Sequence, residues 1–356
     1  MDYNKIQLSI IIPVYNTGMY LRRCLDSVVE ATKELKDRVE VLIINDGSTD
    51  DSPEIIKEYS ELFSYFKPFH KENGGLSDVK NYGLQRALGE YVIYLDSDDY
   101  IDPRMYMAML QKIEEEQADI VVCDVELVYD DPNRNVIHSC TVESRDTVFN
   151  KVIDMTMMTA SWNKIVKKEL YNGLEFPVGK NNEDVAVTPI VLAKAKKIAV
   201  VHEAFYKYYQ REGSIQNSQF SEKRFVILET AKLCMERMDN IDADKIERIK
   251  GSVYLHQVLA LPMYPIRREK FANRYKMLKG YMAIVEEYFP DIWSCFEVKE
   301  FLTWDTKWVQ ISRRISIFLL RKRLYLLLSL YWTPCNIWYD FTQMLYLRLK
   351  GKREQA

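Results

Sequence analysis

Continuous apolar runs alternate with helix-like periodicity through the first half of the chain. The apolar runs cover residues 8–14, 39–45, 91–95 and 119–127, and a short strand is predicted at 66–69. The stretches between them have the periodicity and capping residues of helices, at 19–31, from Ser52-Pro53, at 76–88 and at 103–116. Strands that are apolar throughout are buried on both faces. The pattern therefore predicts an α/β protein with a Rossmann-like, mostly parallel nucleotide-binding sheet flanked by helices.

The second half of the chain has a different organisation. Its pattern is mixed up to about residue 220, with an amphipathic helix headed by Glu183 and Asp184 within 179–195 and a strand at 198–209. Beyond that point the periodicity is helical throughout. We therefore predict a first domain over 1–220, with a nucleotide-binding part at about 1–125 and a second part at about 126–220. A helical C-terminal region follows over 221–356.

Composition is that of a soluble globular protein. The chain has 356 residues, 47% hydrophobic and 28% charged, with a net charge of −3, so no strong positive field favours nucleic acid as a partner. Its six cysteines are scattered without a CxxC pair, which argues against zinc and disulfide frameworks and favours a reducing compartment. The apolar stretch near the N-terminus is too short for a signal peptide. We therefore predict a cytoplasmic location.

Polar, turn-forming residues follow the first four predicted strands. Ligands of parallel α/β sheets bind beyond the carboxyl ends of the strands, so these residues are the candidates for binding. They are Tyr15 and Asn16 after the first strand, Asp46 after the second, Asn73 after the third, and Asp96, Ser97 and Asp98 after the fourth.

The sequence DSDD at 96–99 predicts a metal site. Residues two apart in an extended segment point the same way, so Asp96 and Asp98 present carboxylates on one side. Magnesium and manganese take oxygen ligands, often one or two carboxylates together with substrate phosphates. The alternative is an acidic helix N-terminus, because Asp99 and Asp102 suit the first turn of a helix through Pro103.

Three further motifs have both a functional and a structural interpretation. Asp46 could accept the N–H of a ligand base, or form an Asx turn. The glycine loop ENGGLSDVKNYG leads into a helix with Lys80 and Asn81 one turn in, a favourable place for an anion. Glu183 and Asp184 stand at the predicted head of a helix, where acids also stabilise the helix dipole.

Seven ordered motifs over residues 6 to 220 resemble the family 2 glycosyltransferases of GT-A fold. They are SIIIPVYN, VLIINDGSTDDS, NGGLSDVKNYGL, GEYVIYLDSDDYIDP, ASWNKIVKKELY, NEDV and YYQREGSI. The sequence is similar to bacterial members that build capsular polysaccharide, exopolysaccharide or wall sugars. The resemblance implies an acceptor-binding role for the part at 126–220.

The resemblance also implies roles for individual residues. Pro13, Tyr15 and Asp46 would contact the nucleotide base of the donor, with Asp46 at the uracil ring. Lys80 and Asn81 match a pair that contacts phosphate or ribose and is usually Arg-Asn; lysine lacks the bidentate fork of arginine. The remaining matches are Asp96 and Asp98 to the DxD motif for ribose and a divalent metal, Asp184 to the catalytic base, and Arg211 to a residue that folds over the diphosphate.

Together these matches imply an inverting transfer from a nucleotide diphosphate donor, UDP-sugar by the uracil match, to a hydroxyl of a glycan or lipid-linked acceptor. In such a reaction a metal (Mn²⁺ or Mg²⁺) would stabilise the leaving diphosphate, and an aspartate would take the acceptor's proton in a single displacement. Two alternatives remain. One is a binding module of the same fold without turnover, and the other is a different nucleotide-dependent transferase such as a nucleotidyltransferase.

The C-terminal third mixes apolar runs with basic clusters near 313–323 and 348–353. Its apolar runs are interrupted by charges and by Pro334, so it lacks the 20 or so apolar residues of a spanning helix. Leucine, tyrosine and tryptophan beside basic residues are typical of segments that rest on a membrane surface. We predict a peripheral protein on the inner face of the plasma membrane. The alternative is a helical subdomain that packs on the first domain or on a second copy in a homo-oligomer.

Overall fold

The computed structural model describes residues 6–35, 37–139, 159–210, 226–294 and 307–333. These residues form two compact units. The first unit contains the described residues up to 210 together with 233–249. The second contains 226–232 and the described residues from 250 onward.

The first unit begins with four strands joined by helices. In chain order the elements are β1 (Leu8–Val14), α1 (Gly18–Ala31), β2 (Val39–Asn45), α2 (Ser52–Leu62), β3 (Phe66–His70), α3 (Leu76–Arg86) and β4 (Tyr91–Tyr94). The strands are parallel and lie in the order β3-β2-β1-β4. Their carboxyl ends therefore meet at one edge of the sheet.

The rest of the first unit extends this sheet. Its elements are β5 (Tyr100–Ile101), α4 (Met105–Glu116), β6 (Ile120–Val128), β7 (Val136–His138), β8 (Lys164–Lys167), α5 (Thr188–Lys194) and β9 (Ile198–Tyr209). Within the described residues, nine strands form one mixed sheet in the order β3-β2-β1-β4-β8-β6-β9-β5, with β7 beside β6. Strand β8 is antiparallel to both of its neighbours, and β6 is parallel to β9.

The apolar runs explain why this sheet lies in the middle of the first unit. Every residue of β1 and β2 is buried, as expected for strands with helices on both faces. Helix α1 packs onto the core through Leu21, Cys24, Leu25 and Val28. The predicted α/β fold with a mostly parallel, helix-flanked sheet is confirmed.

The helix predicted to begin at Glu183 and Asp184 begins later in the structure. Glu183 and Asp184 lie in a 3-10 turn, Glu183–Ala186, and α5 begins only at Thr188. Pro189 is in the first turn of α5, where its missing N–H costs nothing, whereas further inside a longer helix it would remove a hydrogen bond. The chain therefore starts a new helix after the acidic pair.

The described residues from 226 onward are helical, which confirms the predicted helical C-terminal region. The helices are α6 (Val226–Glu236), α7 (Ala243–Val253), α8 (Leu261–Arg268), α9 (Phe271–Tyr288) and α10 (Lys307–Arg321), with a further helical segment over 325–333. None of the helices in the described ranges has the combined length and hydropathy that a bilayer crossing requires.

A π-helical stretch, Tyr254–Ala260, joins α7 to α8. Pro262 follows it and has no N–H to donate to the carbonyl of Val258, four residues earlier. The hydroxyl of Tyr281 donates to that carbonyl instead. The Tyr281 side chain of α9 thus supplies the hydrogen bond that Pro262 cannot donate. The carbonyl of Val258 is therefore hydrogen-bonded in the interior of the second unit, next to the wider π-helical turn.

Candidate active site

The site lies at the carboxyl ends of β1, β2 and β4. Because these strands are parallel neighbours, the loops after Val14, Asn45 and Tyr94 emerge on the same edge. The backbone N–H of Asp46 donates to the carbonyl of Val14 at 2.8 Å, which continues the pairing one residue beyond β2. The structure therefore brings together the strand-end residues that the sequence singled out after these strands.

Asp46 organises the glycine loop after β3. Its Oδ1 accepts from the Lys71 ammonium at 2.6 Å and from the Gly74 N–H at 2.9 Å, and its Oδ2 accepts from the Gly75 N–H at 2.8 Å. Gly75 has φ of 84°, which favours glycine. Asn73, itself exposed, donates its side-chain amide to the carbonyl of Asp46 at 3.0 Å. The carboxylate of Asp46 is thus buried and holds this loop against β2.

The turn after β1 presents an aromatic ring. Tyr15 is 52% exposed, whereas Pro13 is buried inside β1 opposite Ile44. Asn16 has φ of 51° and ties its turn to the turn after β2: its Oδ1 accepts from the N–H of Thr49 at 2.8 Å. The exposed tyrosine ring therefore stands on a turn whose backbone is fixed.

The DSDD segment divides its side chains between two sides. The Ser97 hydroxyl is buried, 2.8 Å from that of Thr17 before α1. Asp99 is completely buried; its Oδ2 accepts from the Tyr206 hydroxyl at 2.7 Å and its Oδ1 from the Tyr209 N–H at 2.8 Å. Helix α4 begins only at Met105, so the alternative interpretation of Asp99 as a first-turn acid was wrong. Asp99 therefore ties the DSDD segment to β9.

Lys80 joins the site to the acidic pair at 183–184. Its Nζ lies 2.6 Å from Glu183 Oε1 and 2.7 Å from Asp184 Oδ1. It also donates to the Ser161 hydroxyl at 3.0 Å. Lys80 and Glu183 are buried, whereas the Asp184 side chain is 18% exposed. One cation from α3 thus holds two carboxylates that are more than a hundred residues away in the sequence.

The charges of this cluster shift one another's protonation. Burial by itself would lower the pKa of Lys80, but the nearby carboxylates, Asp184 foremost, outweigh it and raise that pKa above its ordinary value. Burial raises the pKa of Glu183, and Lys80 opposes the rise. Burial also raises the pKa of Asp96 to about 7, with Lys80 opposing and the Asp98 carboxylate reinforcing the rise. The DSDD and acidic-pair carboxylates therefore share one electrostatic environment.

Asn81 is a clamp between α3 and the segment before the acidic pair. Its side-chain amide donates to the carbonyl of Phe176 at 2.8 Å, and its Oδ1 accepts from the N–H of Phe176 at 2.8 Å. This two-bond pairing fixes the helix that carries Lys80 relative to residues that lead to Glu183.

The donor set at the edge suits a hard divalent cation that also binds a ligand. In the parts of the chain that the structure describes, no three His, Cys, Asp or Glu side chains are grouped to hold a metal by themselves. Asp96 and Asp98 offer two carboxylates; burial raises the pKa of Asp96 and the Asp98 charge adds to the rise, and a cation would relieve that repulsion. Two carboxylates completed by phosphate oxygens are a usual magnesium or manganese arrangement.

Some contacts escaped the sequence analysis, and one predicted residue lies outside the described residues. Arg211 falls outside them. Lys71, Ser161 and the bridging position of Glu183 were missed. Ser161 stands in the quoted motif ASWNK and Glu183 beside the predicted base, so position in a motif was the available signal. Nothing in the spacing indicated that Lys71 would meet Asp46.

Comparison with known proteins assigns the family. The model for "Glycosyl transferase family 2" matches residues 9–181. The chain is 30% identical over 256 residues to the uncharacterized glycosyltransferase YibD of Escherichia coli K12, covering 67% of this chain and 73% of that protein. The protein belongs to the family 2 glycosyltransferases, as the motifs predicted.

Two further proteins resemble this chain over different shares of their own length. Glycosyltransferase GlyA of Streptococcus pneumoniae is 32% identical over 220 residues, 59% of this chain but only 31% of GlyA. The crystal structure of residues 1–349 of TarS from S. aureus, in complex with UDP-GlcNAc, matches with a TM-score of 0.69 at 20% identity, over 92% of this chain and 90% of that one. The TarS likeness shows the shared fold.

Proposed function

We propose that this chain transfers a sugar from a nucleotide diphosphate donor to a hydroxyl acceptor, with inversion at the transferred carbon. One observation carries the proposal: Lys80 binds Glu183 and Asp184 at 2.6 and 2.7 Å while sharing its electrostatic environment with Asp96. A site for a charged leaving group and a candidate base thus lie within one cluster. Such an arrangement suits a reaction in which a diphosphate departs as a hydroxyl attacks.

The donor is proposed to bind at the edge formed by β1, β2 and β4. The exposed ring of Tyr15 is available to stack on a base, and Pro13, Asn16 and Asp46, at the ends of β1 and β2, are proposed to complete the base site. Asp46 Oδ2 accepts one N–H, from Gly75, and a carboxylate oxygen has room for a second donor such as a ring N–H. TarS, which shares this fold, was crystallised with UDP-GlcNAc. We therefore propose a UDP-sugar as donor.

A divalent cation, Mn²⁺ or Mg²⁺, would be held by Asp98 and Asp96 together with the diphosphate. When bound, it supplies positive charge for the leaving diphosphate. Arg211 is proposed to add a second positive charge there. Asn73 and Ser97 are proposed to contribute to donor binding by fixing the loops after β3 and β4.

Asp184 is proposed as the base. Its Oδ1 is bound by Lys80, whereas its Oδ2 has a longer contact of 3.4 Å with the Ser161 hydroxyl. With one oxygen fixed by the ammonium, the other has a defined direction and can accept the proton of the attacking hydroxyl. Lys80 is proposed to act by positioning this carboxylate, and Asn81 by fixing the helix that carries Lys80. A single base implies a single displacement.

The acceptor is proposed to be a glycan or a lipid-linked sugar. A lipid-linked acceptor would lie in the membrane surface while nucleotide sugars are dissolved in the cytoplasm. We therefore propose that the protein works on the cytoplasmic face of the membrane.

Asp98→Asn tests the proposed donor site. Binding of UDP and UDP-GlcNAc would be measured by titration calorimetry, with Mn²⁺ and with chelator. The wild type should bind more tightly with Mn²⁺, and the variant should lose most of that gain because one anionic ligand is missing. The exposed Asp37→Asn is the matched control and should keep it. An undiminished Mn²⁺ effect in Asp98→Asn, with the unfolding midpoint unchanged, would refute the metal assignment.

A further inference from the structure

The helical segment 325–333 in the second unit is apolar on both of its faces. One face is buried, through Tyr325, Leu328, Ser329 and Trp332. The opposite face consists of Leu326, Leu327 and Leu330, which are 51%, 50% and 52% exposed. We call these three residues the leucine face. A helix surface turned to water is normally polar, and a helix that is apolar all round is normally covered.

Buried contacts fix which way the leucine face points. The guanidinium of Arg274, in α9, donates to the carbonyl of Ser329 at 2.9 Å and to the Thr333 hydroxyl at 3.0 Å. The indole N–H of Trp332 donates to the Ser316 hydroxyl of α10 at 3.0 Å. Because one side of the segment is held by these bonds, the leucines are kept on the outer side of the second unit.

Exposed apolar side chains are concentrated in the part of the sequence that leads into this segment. Of the seventeen large hydrophobic side chains that are exposed in the described residues, six lie between residues 311 and 330. They are Ile311, Phe318, Leu324 and the leucine face. Single exposed hydrophobic residues are ordinary on protein surfaces, but a concentration of this kind indicates an interaction surface.

Charge indicates what covers the surface. Residues 307–333 contain six lysines and arginines and no acidic residue, in a chain of net charge −3. Arg321 and Lys322 are exposed directly before the segment, and Arg323 pairs with Glu286 at 2.7 Å. The surface thus combines leucines with a strong local positive charge.

An anionic lipid bilayer fits both properties. Leucines enter the boundary between headgroups and acyl chains, and basic residues meet the lipid phosphates. A second copy of the chain fits less well, because two surfaces of the same positive charge would repel one another. We infer that the leucine face and Arg321-Lys322 dock this protein on anionic lipid. This inference deepens the proposed membrane location and is tested separately from sugar transfer.

The leucine face is tested by flotation of the full chain with vesicles. The vesicles are phosphatidylcholine with or without phosphatidylglycerol, and the variant is Leu326→Gln/Leu327→Gln/Leu330→Gln. Loss of three leucines that would be buried in the bilayer should lower partitioning onto the anionic vesicles on the order of 100-fold or more. The matched control replaces three exposed aliphatic residues of the first unit, Leu62, Leu88 and Ile137, by Gln and should bind as the wild type does.

The basic residues are tested by Arg321→Gln/Lys322→Gln. Two charges near an anionic surface correspond to roughly 30-fold in partitioning, so binding to phosphatidylglycerol vesicles should fall by about that factor and become less sensitive to salt. Binding to pure phosphatidylcholine should be unaffected. The control is Lys33→Gln/Lys57→Gln, two exposed lysines of the first unit, which should change neither.

Two control measurements separate lipid docking from other effects. Unfolding midpoints and sugar transfer to a soluble acceptor should stay at wild-type values in every variant, so that a failure of docking is distinct from a failure of catalysis. Sedimentation velocity reports association between copies. The inference is overturned if the wild type does not float with anionic vesicles, or if the leucine variant floats as well as its control. It is also overturned if that variant only dissociates an oligomer while its vesicle binding persists.

Discussion

Lys80 is the buried cation that compensates the negative charges of the acidic pair at the site. It is buried and contacts Glu183, Asp184 and Ser161 within 3.0 Å. A buried cation is tolerated only when opposite charges and hydrogen bonds compensate for its lost hydration. The compact ammonium of lysine meets three oxygens that lie in different directions, which a planar guanidinium would not reproduce without rearrangement. The lysine at this position is therefore suited to the acidic pair.

Lys80→Met should destabilise the protein in a pH-dependent way. Removing one partner of a buried ion pair costs about 3–5 kcal/mol of the free energy of unfolding. Without Lys80 the pKa of Glu183 rises further above its ordinary 4.5, so the folded state holds a proton that the unfolded state releases, and stability falls as pH rises. Urea unfolding should therefore give a smaller loss at about pH 5 than at about pH 8.

Lys112→Met is the matched control for that measurement. Lys112 pairs with Glu116 on the surface of α4 at 2.7 Å, and such pairs contribute roughly 0.3–0.5 kcal/mol. Its loss should be small at both pH values. An equal loss at the two pH values in Lys80→Met would contradict the proposed coupling between Lys80 and Glu183.

At residue scale, part of the site could be predicted from the sequence, because the carboxyl ends of neighbouring parallel strands lie at the same edge of the sheet. Asp46 and Asp96 each follow a continuous apolar run, and the structure places both at one edge. The partners of these residues could not be predicted. Lys80 and Asp184 are 104 residues apart, and Asp99 and Tyr206 are 107 apart. Such pairs depend on the path of the chain between them, which local pattern does not specify.

At the scale of elements, α3 positions Lys80 and Asn81 through its close packing on the sheet. Gly83 faces β1 and β2: a Cβ at this position would lie 2.5 Å from Ile11 Cγ2 and 2.8 Å from Ile44 Cδ1. Both isoleucines are buried in a packed core. Gly83 therefore allows α3 to approach the sheet more closely than a side chain would permit.

Gly83→Ala should destabilise the protein by about 1–3 kcal/mol, the usual range for overpacking a core. It should also lower transfer activity, because α3 carries Lys80. The matched control is Gly280→Ala in α9, where the new Cβ would meet no atom within 4 Å apart from its chain neighbours and the nearby backbone of its own helix. That substitution should instead stabilise the protein by about 0.5–1 kcal/mol, since alanine is the better helix former. Denaturant unfolding measures both, and two changes of the same sign would contradict the packing account of Gly83.

An element could be predicted from the sequence when its own residues determine it, without help from distant parts of the chain. Continuous apolar runs identified the parallel strands, and strand 198–209 matches β9 residue for residue. The 3-10 turn at Glu183 was missed because acids before an apolar stretch have the same pattern as a helix start. The antiparallel direction of β8 was not predicted, because pairing direction depends on distant neighbours.

At the scale of the whole molecule, the two units have different chemical character. The first contains the sheet and the carboxylates at its edge. The second contains the leucine face and the basic residues near it. Composition could predict the contrast, because the basic and apolar residues of the tail stand out in the sequence. It could not predict that three leucines share one exposed face.

Asp184→Asn measures directly whether this carboxylate takes the acceptor's proton. Transfer from UDP-GlcNAc, or whichever donor the wild type uses, would be followed together with donor binding. We predict that kcat falls by about 10²–10⁴-fold, the usual contribution of a general base, while the dissociation constant of the donor stays nearly unchanged. A variant that keeps the wild-type kcat, or that loses donor binding instead, would contradict the assignment of Asp184 as the base.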